Sequence, residues 1–116
     1  MSDETMTLDV DEALSRFGGN KQVFVRLLLR FLELNAGVEQ KLAEVLASTD
    51  CDGIAMFFHS IKGGAANLSA KRLAGQCAVL EKLARAGDIE TVKAQARDFP
   101  SFFGELKIAV DSFSAS

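Results

Sequence analysis

Apolar positions recur along this chain at steps of three and four, the spacing of one face of an α-helix. No stretch alternates for long enough to read as a strand, and no Asn-Gly or Asp-Gly pair sits between two alternating runs. The pattern divides into five helical segments. Asp9 with Glu12 resembles a capping box ahead of Ala13, Leu14 and Phe17, and Gly18-Gly19 stops this short first helix. Asn20 caps the next, in which Phe24, Leu27, Leu28, Phe31, Leu34, Val38, Leu42 and Val45 stay in helical phase. That predicts one long helix from about Lys21 to Ala47, which Gly37 bends but does not stop. After the polar break Ser48-Thr49-Asp50, a third helix runs from about Cys51 to Leu68.

Asn67 to Ser69 forms the following turn, with Ser69 as cap and Asn67 as the left-handed residue. The fourth helix turns Leu73, Cys77, Leu80 and either Leu83 or Ala84 inward and ends at Gly87, where a left-handed cap residue is expected. Asp88 caps the last helix. Its stripe of Ile89, Val92, Ala96, Phe99, Phe103, Leu106, Val110 and Phe113 passes through Pro100 without losing phase. That favours one helix kinked near Pro100 over a break that places Pro100 in the first turn of a new helix. Long amphipathic helices joined by short turns predict an all-α fold. The expected architecture is an antiparallel up-down four-helix bundle over residues 8–116, with the short extra N-terminal helix covering one end and residues 1–7 as a disordered tail.

Composition supports one domain: 116 residues, 48% hydrophobic with nine phenylalanines, can build a core without staples. No run approaches the roughly 18 apolar residues of a membrane helix, and the acidic start Met1 to Thr5 is no secretory signal. The expectation is a soluble, cytoplasmic monomer, although a segment of a longer chain would read the same way. A net charge of -3 without a basic stripe argues against nucleic acid as a partner. Cys51 and Cys77 are not spaced as CxxC, and with a single histidine they cannot complete a four-ligand zinc site without carboxylates. They read as reduced thiols, Cys77 as a small core residue.

The one chemically unusual stretch is Phe57-Phe58-His59-Ser60-Ile61-Lys62-Gly63-Gly64-Ala65-Ala66, which holds the only histidine. Two glycines inside a helix cost about 1 kcal/mol each against alanine and need a reason. At about 100° per residue, Ile54, Phe57, Phe58, Ile61, Ala65 and Leu68 form the core stripe. His59 lies about 140° from it and Gly63 about 180°. Gly64, about 80° from it, is placed to let a neighbouring helix come close. Ala55, Met56 and Ala66 share the outer side with His59 and form a candidate docking patch. Side chains lean toward the helix N-terminus, so Lys62 leans back toward His59 and a side chain at Gly63 would cover the ring. A cation, an uncovered approach and an imidazole, a good nucleophile when neutral, suit reversible formation of phosphohistidine. No phosphate-binding GxxxxGK[ST] loop, kinase signature or magnesium-binding carboxylate cluster is present, so the phosphoryl donor must bring those parts. A lone surface histidine is otherwise the commoner finding, and Lys62 alone would be a solvated lysine.

His59-Ser60-Ile61-Lys62-Gly63-Gly64-Ala65 resembles the H-x-x-K-G phosphorylation motif of histidine phosphotransfer (HPt) domains, in the version of the phosphotransfer domain of chemotaxis histidine kinases. Leu73, Cys77, Leu80-Glu81 and Ala86-Gly87-Asp88 follow the family's pattern, and Leu8-Asp9, Phe17-Gly18-Gly19 and the Phe31 region resemble its opening helices. The resemblance implies His59 as phosphoacceptor through its outer ring nitrogen, Lys62 beside the phosphoryl group and Gly63 as the clear approach. It implies that Glu81, twenty-two residues after His59, orients the imidazole; otherwise Glu81 reads as a surface residue paired with Arg85. One departure is Ser69, where the family often has glycine. The implied partner is a response-regulator receiver domain, that of a hybrid histidine kinase included, which would hold the magnesium; the chain itself would need no cofactor. It would be a phosphoryl carrier in a phosphorelay, not an enzyme. The alternatives are the phosphoacceptor domain of a larger hybrid or chemotaxis-type kinase, and an interaction bundle without phosphotransfer.

Overall fold

The computed structural model of the chain describes residues 6–48 and 50–116. Seven α-helices lie among them: α1 (Val10–Arg16), α2 (Lys21–Leu34), α3 (Val38–Ala47), α4 (Cys51–Asn67), α5 (Lys71–Arg85), α6 (Ile89–Gln95) and α7 (Phe99–Ala115). No strand occurs among the described residues. Four helices start on the expected side-chain caps, with Asp9, Asn20, Asp50 and Asp88 each accepting a backbone N–H of the first turn. Gly87 takes the expected left-handed conformation, φ 82°.

The expected long second helix is two helices. Asn35, Ala36 and Gly37 form a turn between α2 and α3. At the C-cap of α2 the Asn35 side-chain amide joins its own backbone N–H on the Phe31 carbonyl, at 2.8 and 3.2 Å, a local bond that closes the helix end, and Gly37 then leads into α3. Apolar phase runs across the break because Val38 and Leu42 return to the core. Leu34, placed inward by that phase, is 69% exposed.

Pro100 stands in the first turn of α7, joined to α6 by a 3₁₀ turn over Ala96–Asp98. The break therefore prevails over the kink. It keeps the phase because these residues retain helical backbone angles, and Val92, Ala96, Phe99, Phe103, Leu106 and Val110 are all buried.

The core draws on every helix, and its largest fully buried side chains include Phe24, Phe58 and Phe99. Removing such a side chain from water stabilises by about 1.5–3 kcal/mol. A chain of rings links three helices: Phe31 of α2 stacks on Phe103 of α7 at 6.0 Å, Phe103 meets Phe99 at 5.7 Å, and Phe99 meets Phe58 of α4 edge-on at 5.2 Å. This fixes the rotation of α4, the helix that carries the only histidine.

The α4–α5 turn differs from expectation. Asn67 stays in α4, and Ser69 itself is left-handed at φ 58°, the conformation that glycine adopts at least cost. Ser69 does not cap α5; Ala70 stands at the N-cap without a side-chain bond. The chain before α1 supplies a partner there instead, the Met6 carbonyl accepting the Arg72 N–H at 3.0 Å. Residues 1–5 of the expected tail lie outside the described residues.

Glu12 also leaves the predicted capping box half made. Asp9 accepts the Glu12 N–H at 3.1 Å, but the Glu12 carboxylate turns across to the α4–α5 turn. There it accepts from the buried Ser69 hydroxyl at 2.8 Å and pairs with Lys71 at 2.7 Å. Arg16 donates to the Asn67 carbonyl at 2.5 Å, satisfying an orphan acceptor at the end of α4.

Candidate functional site

On α4, Ile54, Phe58, Ile61 and Ala65 are buried, which sends His59, one residue past Phe58, outward. Its side chain is 52% exposed. Met56 is 51% exposed, and Gly63 and Ala66 are open as well. Ala55 is not: it is fully buried, so it drops out of the expected docking patch. The helix is packed over a wider arc than its apolar stripe because α5 lies along it, and an alanine cannot reach past such a neighbour.

The two central glycines have different reasons. A Cβ at Gly64 would lie 2.8 Å from Cε1 of Phe31, so glycine admits the α2 ring against the α4 backbone. A Cβ at Gly63 would meet nothing within 4 Å. Packing inside this chain does not require glycine there.

Glu81 reaches the site from α5, its residue only 8% exposed. Its Oε2 lies 3.1 Å from His59 Nδ1, and its Oε1 lies 2.7 Å from Lys62 Nζ. Arg85, one turn further along α5, donates Nε and Nη2 to Oε2 at 3.0 and 2.9 Å. Glu81 therefore meets the imidazole and pairs with Arg85 at once, and it is buried, not the surface residue of the alternative reading. The bond from Lys62, with further help from Arg85 and His59, holds the carboxyl down at about 2 against the opposing effect of burial. Glu81 is thus ionised at neutral pH and can only accept. A neutral His59 must then carry its proton on Nδ1, which leaves the Nε2 lone pair free on the exposed edge of the ring.

The structure brings Glu81 into contact with His59 and Lys62, leaves Gly63 exposed one helical turn beyond the ring, and adds Arg85. Its sequence signal was the four-residue spacing from Glu81, which fits a solvated pair equally well. Cys77, one turn before Glu81, is buried, and burial pushes its thiol up to about 12, so it acts as packing. No group of three or more His, Cys, Asp or Glu side chains is placed to hold a metal among the described residues. No helix among them is long and apolar enough to cross a membrane.

No curated protein and no solved structure is matched by the chain. A family model, described as the Hpt domain, matches residues 26–116, a span that includes His59, Lys62, Gly63, Glu81 and Arg85. The chain belongs to the Hpt domain family, the histidine phosphotransfer modules of two-component signalling.

Proposed function

We propose that His59 is the phosphoacceptor of a phosphorelay carrier, exchanging a phosphoryl group with the aspartate of a response-regulator receiver domain. The Nε2 lone pair attacks phosphorus, the N–P bond forms, and the P–O bond to the aspartate breaks with its electrons leaving on the carboxylate. No proton has to leave Nε2. Nδ1 keeps its proton, and positive charge developing on the ring faces the Glu81 carboxylate at 3.1 Å. Lys62 releases Glu81 and turns to the phosphoryl oxygens, as cations do in phosphoryl transfer generally. The receiver supplies magnesium, and this chain a positioned nucleophile. Gly63, Met56 and Ala66 are the surface on which the receiver sits. In this reading α2–α3, α4, α5 and α6–α7 are the four arms of an antiparallel bundle closed at one end by α1, and the protein works as a cytoplasmic monomer.

The observation that carries the reading is the ionised Glu81 on Nδ1 of a half-exposed ring, because it selects the nucleophilic tautomer at the accessible nitrogen. Incubation with a receiver domain bearing labelled aspartyl phosphate tests it. Label is expected on the native chain and absent from His59→Gln; equal labelling of both would refute the assignment.

A further inference from the structure

Glu81 divides its two oxygens unequally. Oε1 carries Lys62 at 2.7 Å, whereas Oε2 carries both Arg85 contacts, at 3.0 and 2.9 Å, and the shorter approach to His59 Nδ1, at 3.1 Å. Lys62 is the group that must leave in the transfer described above. If it were the sole cation on Glu81, its departure would strand a nearly buried carboxylate without a partner. Such a carboxylate takes up a proton or turns to water, and either event releases the ring at the moment positive charge develops on it. Arg85 has no such journey to make. Its guanidinium approaches Oε2 through two N–H groups from the same helix as Glu81, one turn away.

We propose that Arg85 is a positioning residue for phosphoryl transfer, holding Glu81 ionised and aimed at His59 Nδ1 while Lys62 moves between the carboxylate and the phosphoryl group. The Lys62 movement rests on the function proposed above; the aim of Glu81 in the resting protein does not.

The single histidine makes the test direct, because imidazole ¹⁵N resonances report on His59 alone. At a pH where the ring is neutral, the native protein is expected to show the Nδ1–H tautomer. Arg85→Leu and Arg85→Gln are expected to move population to the Nε2–H tautomer, further still when Lys62→Met is added, and Arg85→Lys to restore Nδ1–H in part. Arg85 has half its side chain in solvent, so circular dichroism of these variants is expected to stay native. Phosphorylation by phosphoramidate, in which the P–N bond of the donor breaks and ammonia leaves, is followed by ³¹P NMR. Removing Arg85 is expected to slow it on the order of tenfold, as loss of an outer partner that orients a reactive imidazole does.

An unchanged tautomer in both Arg85→Leu and Arg85→Gln overturns the proposal, and so does slower transfer with an unchanged tautomer, which would place Arg85 on the phosphoryl group itself. Failure of the native His59 to accept phosphate from any donor would remove the proposed function. The tautomer measurement, which needs no phosphorylation, would still decide the role of Arg85.

Discussion

Glu12 and Glu81 each gather donors from two helices, and both carboxyls are held below the usual carboxylate range by those donors. Around Glu12 the donors are Ser69, Lys71 and Arg16, and Arg16 is also spent on the carbonyls that end α4. Around Glu81 they are Lys62, Arg85 and the ring of His59, which is half exposed and keeps one nitrogen unused by Glu81. The first cluster fastens α1 to the α4–α5 turn. The second leaves a half-exposed imidazole, the nucleophile of the proposed transfer. Charge density alone does not separate a fastening from a reactive site; the difference is whether a group in the cluster has chemistry left over and room to use it.

The widest separation is expected between Glu81→Ala and Glu12→Ala. Loss of Glu81 is expected to slow phosphoryl transfer to His59 on the order of ten- to a hundredfold, because the ring loses its orienting partner. Loss of Glu12 is expected to lower the melting temperature and leave the transfer rate of the folded protein unchanged. Labelling time courses with melts by circular dichroism check both, and equal rate losses would erase the distinction.

The neighbouring glycines offer a sharper version of the same contrast between filled and open space. Gly64→Ala drives a Cβ into Phe31 and is expected to cost about 1–3 kcal/mol. Gly63→Ala meets nothing and is expected to stabilise by up to about 1 kcal/mol through helix propensity. Gly63→Val is expected to retain the fold and obstruct transfer. Urea melts and transfer rates on the three variants decide it; normal transfer in Gly63→Val would remove the clear-approach argument.

Acid titration separates the clusters less strongly. Glu81 has its folded value at about 2 against an ordinary 4.5, so the folded state binds fewer protons than the unfolded one in between. Its contribution to stability is therefore complete above about 4.5 and is lost as pH falls toward about 2. Glu12 is shifted in the same direction. Urea midpoints between these limits are expected to fall with pH, and Glu81→Gln to flatten the slope; an unaltered slope would mean that the Glu81 contacts add nothing to folding.

The smallest effect is expected from Ser69→Gly. A left-handed conformation costs a side-chain-bearing residue about 1–2 kcal/mol, whereas the hydroxyl bond to Glu12 returns about 1 kcal/mol. The two nearly cancel, and a melting temperature within a few degrees of native checks it.

The site was more legible in the sequence than the helix boundaries were. His59, Lys62 and Gly63 lie within five residues on one helix, so helical geometry alone relates them, and Gly64 was correctly separated from Gly63 by its angle to the core. The break at Asn35 was hidden because hydrophobic phase survives it; the signal that mattered was one asparagine whose amide closes the helix end on the Phe31 carbonyl. Pro100 misled for the same reason, a 3₁₀ turn preserving direction while the hydrogen bonding changes. Ala55 depended on how widely α5 covers α4, and Glu12 on a contact fifty-seven residues away in sequence. Neither is a local property. Arg85 was visible as a partner of Glu81, but only the three-dimensional division of the carboxylate oxygens shows what that partnership adds.

The ladder of rings from Phe31 through Phe103 and Phe99 to Phe58 has a mechanical consequence. With Phe31 seated against the bare backbone of Gly64, α4 can neither roll nor slide without breaking stacked contacts. In the proposed transfer, the stroke of the carrier is then confined to side-chain torsions of His59 and Lys62. A short stroke on a stiff mount lets one protein meet donors and acceptors with the same geometry at each encounter.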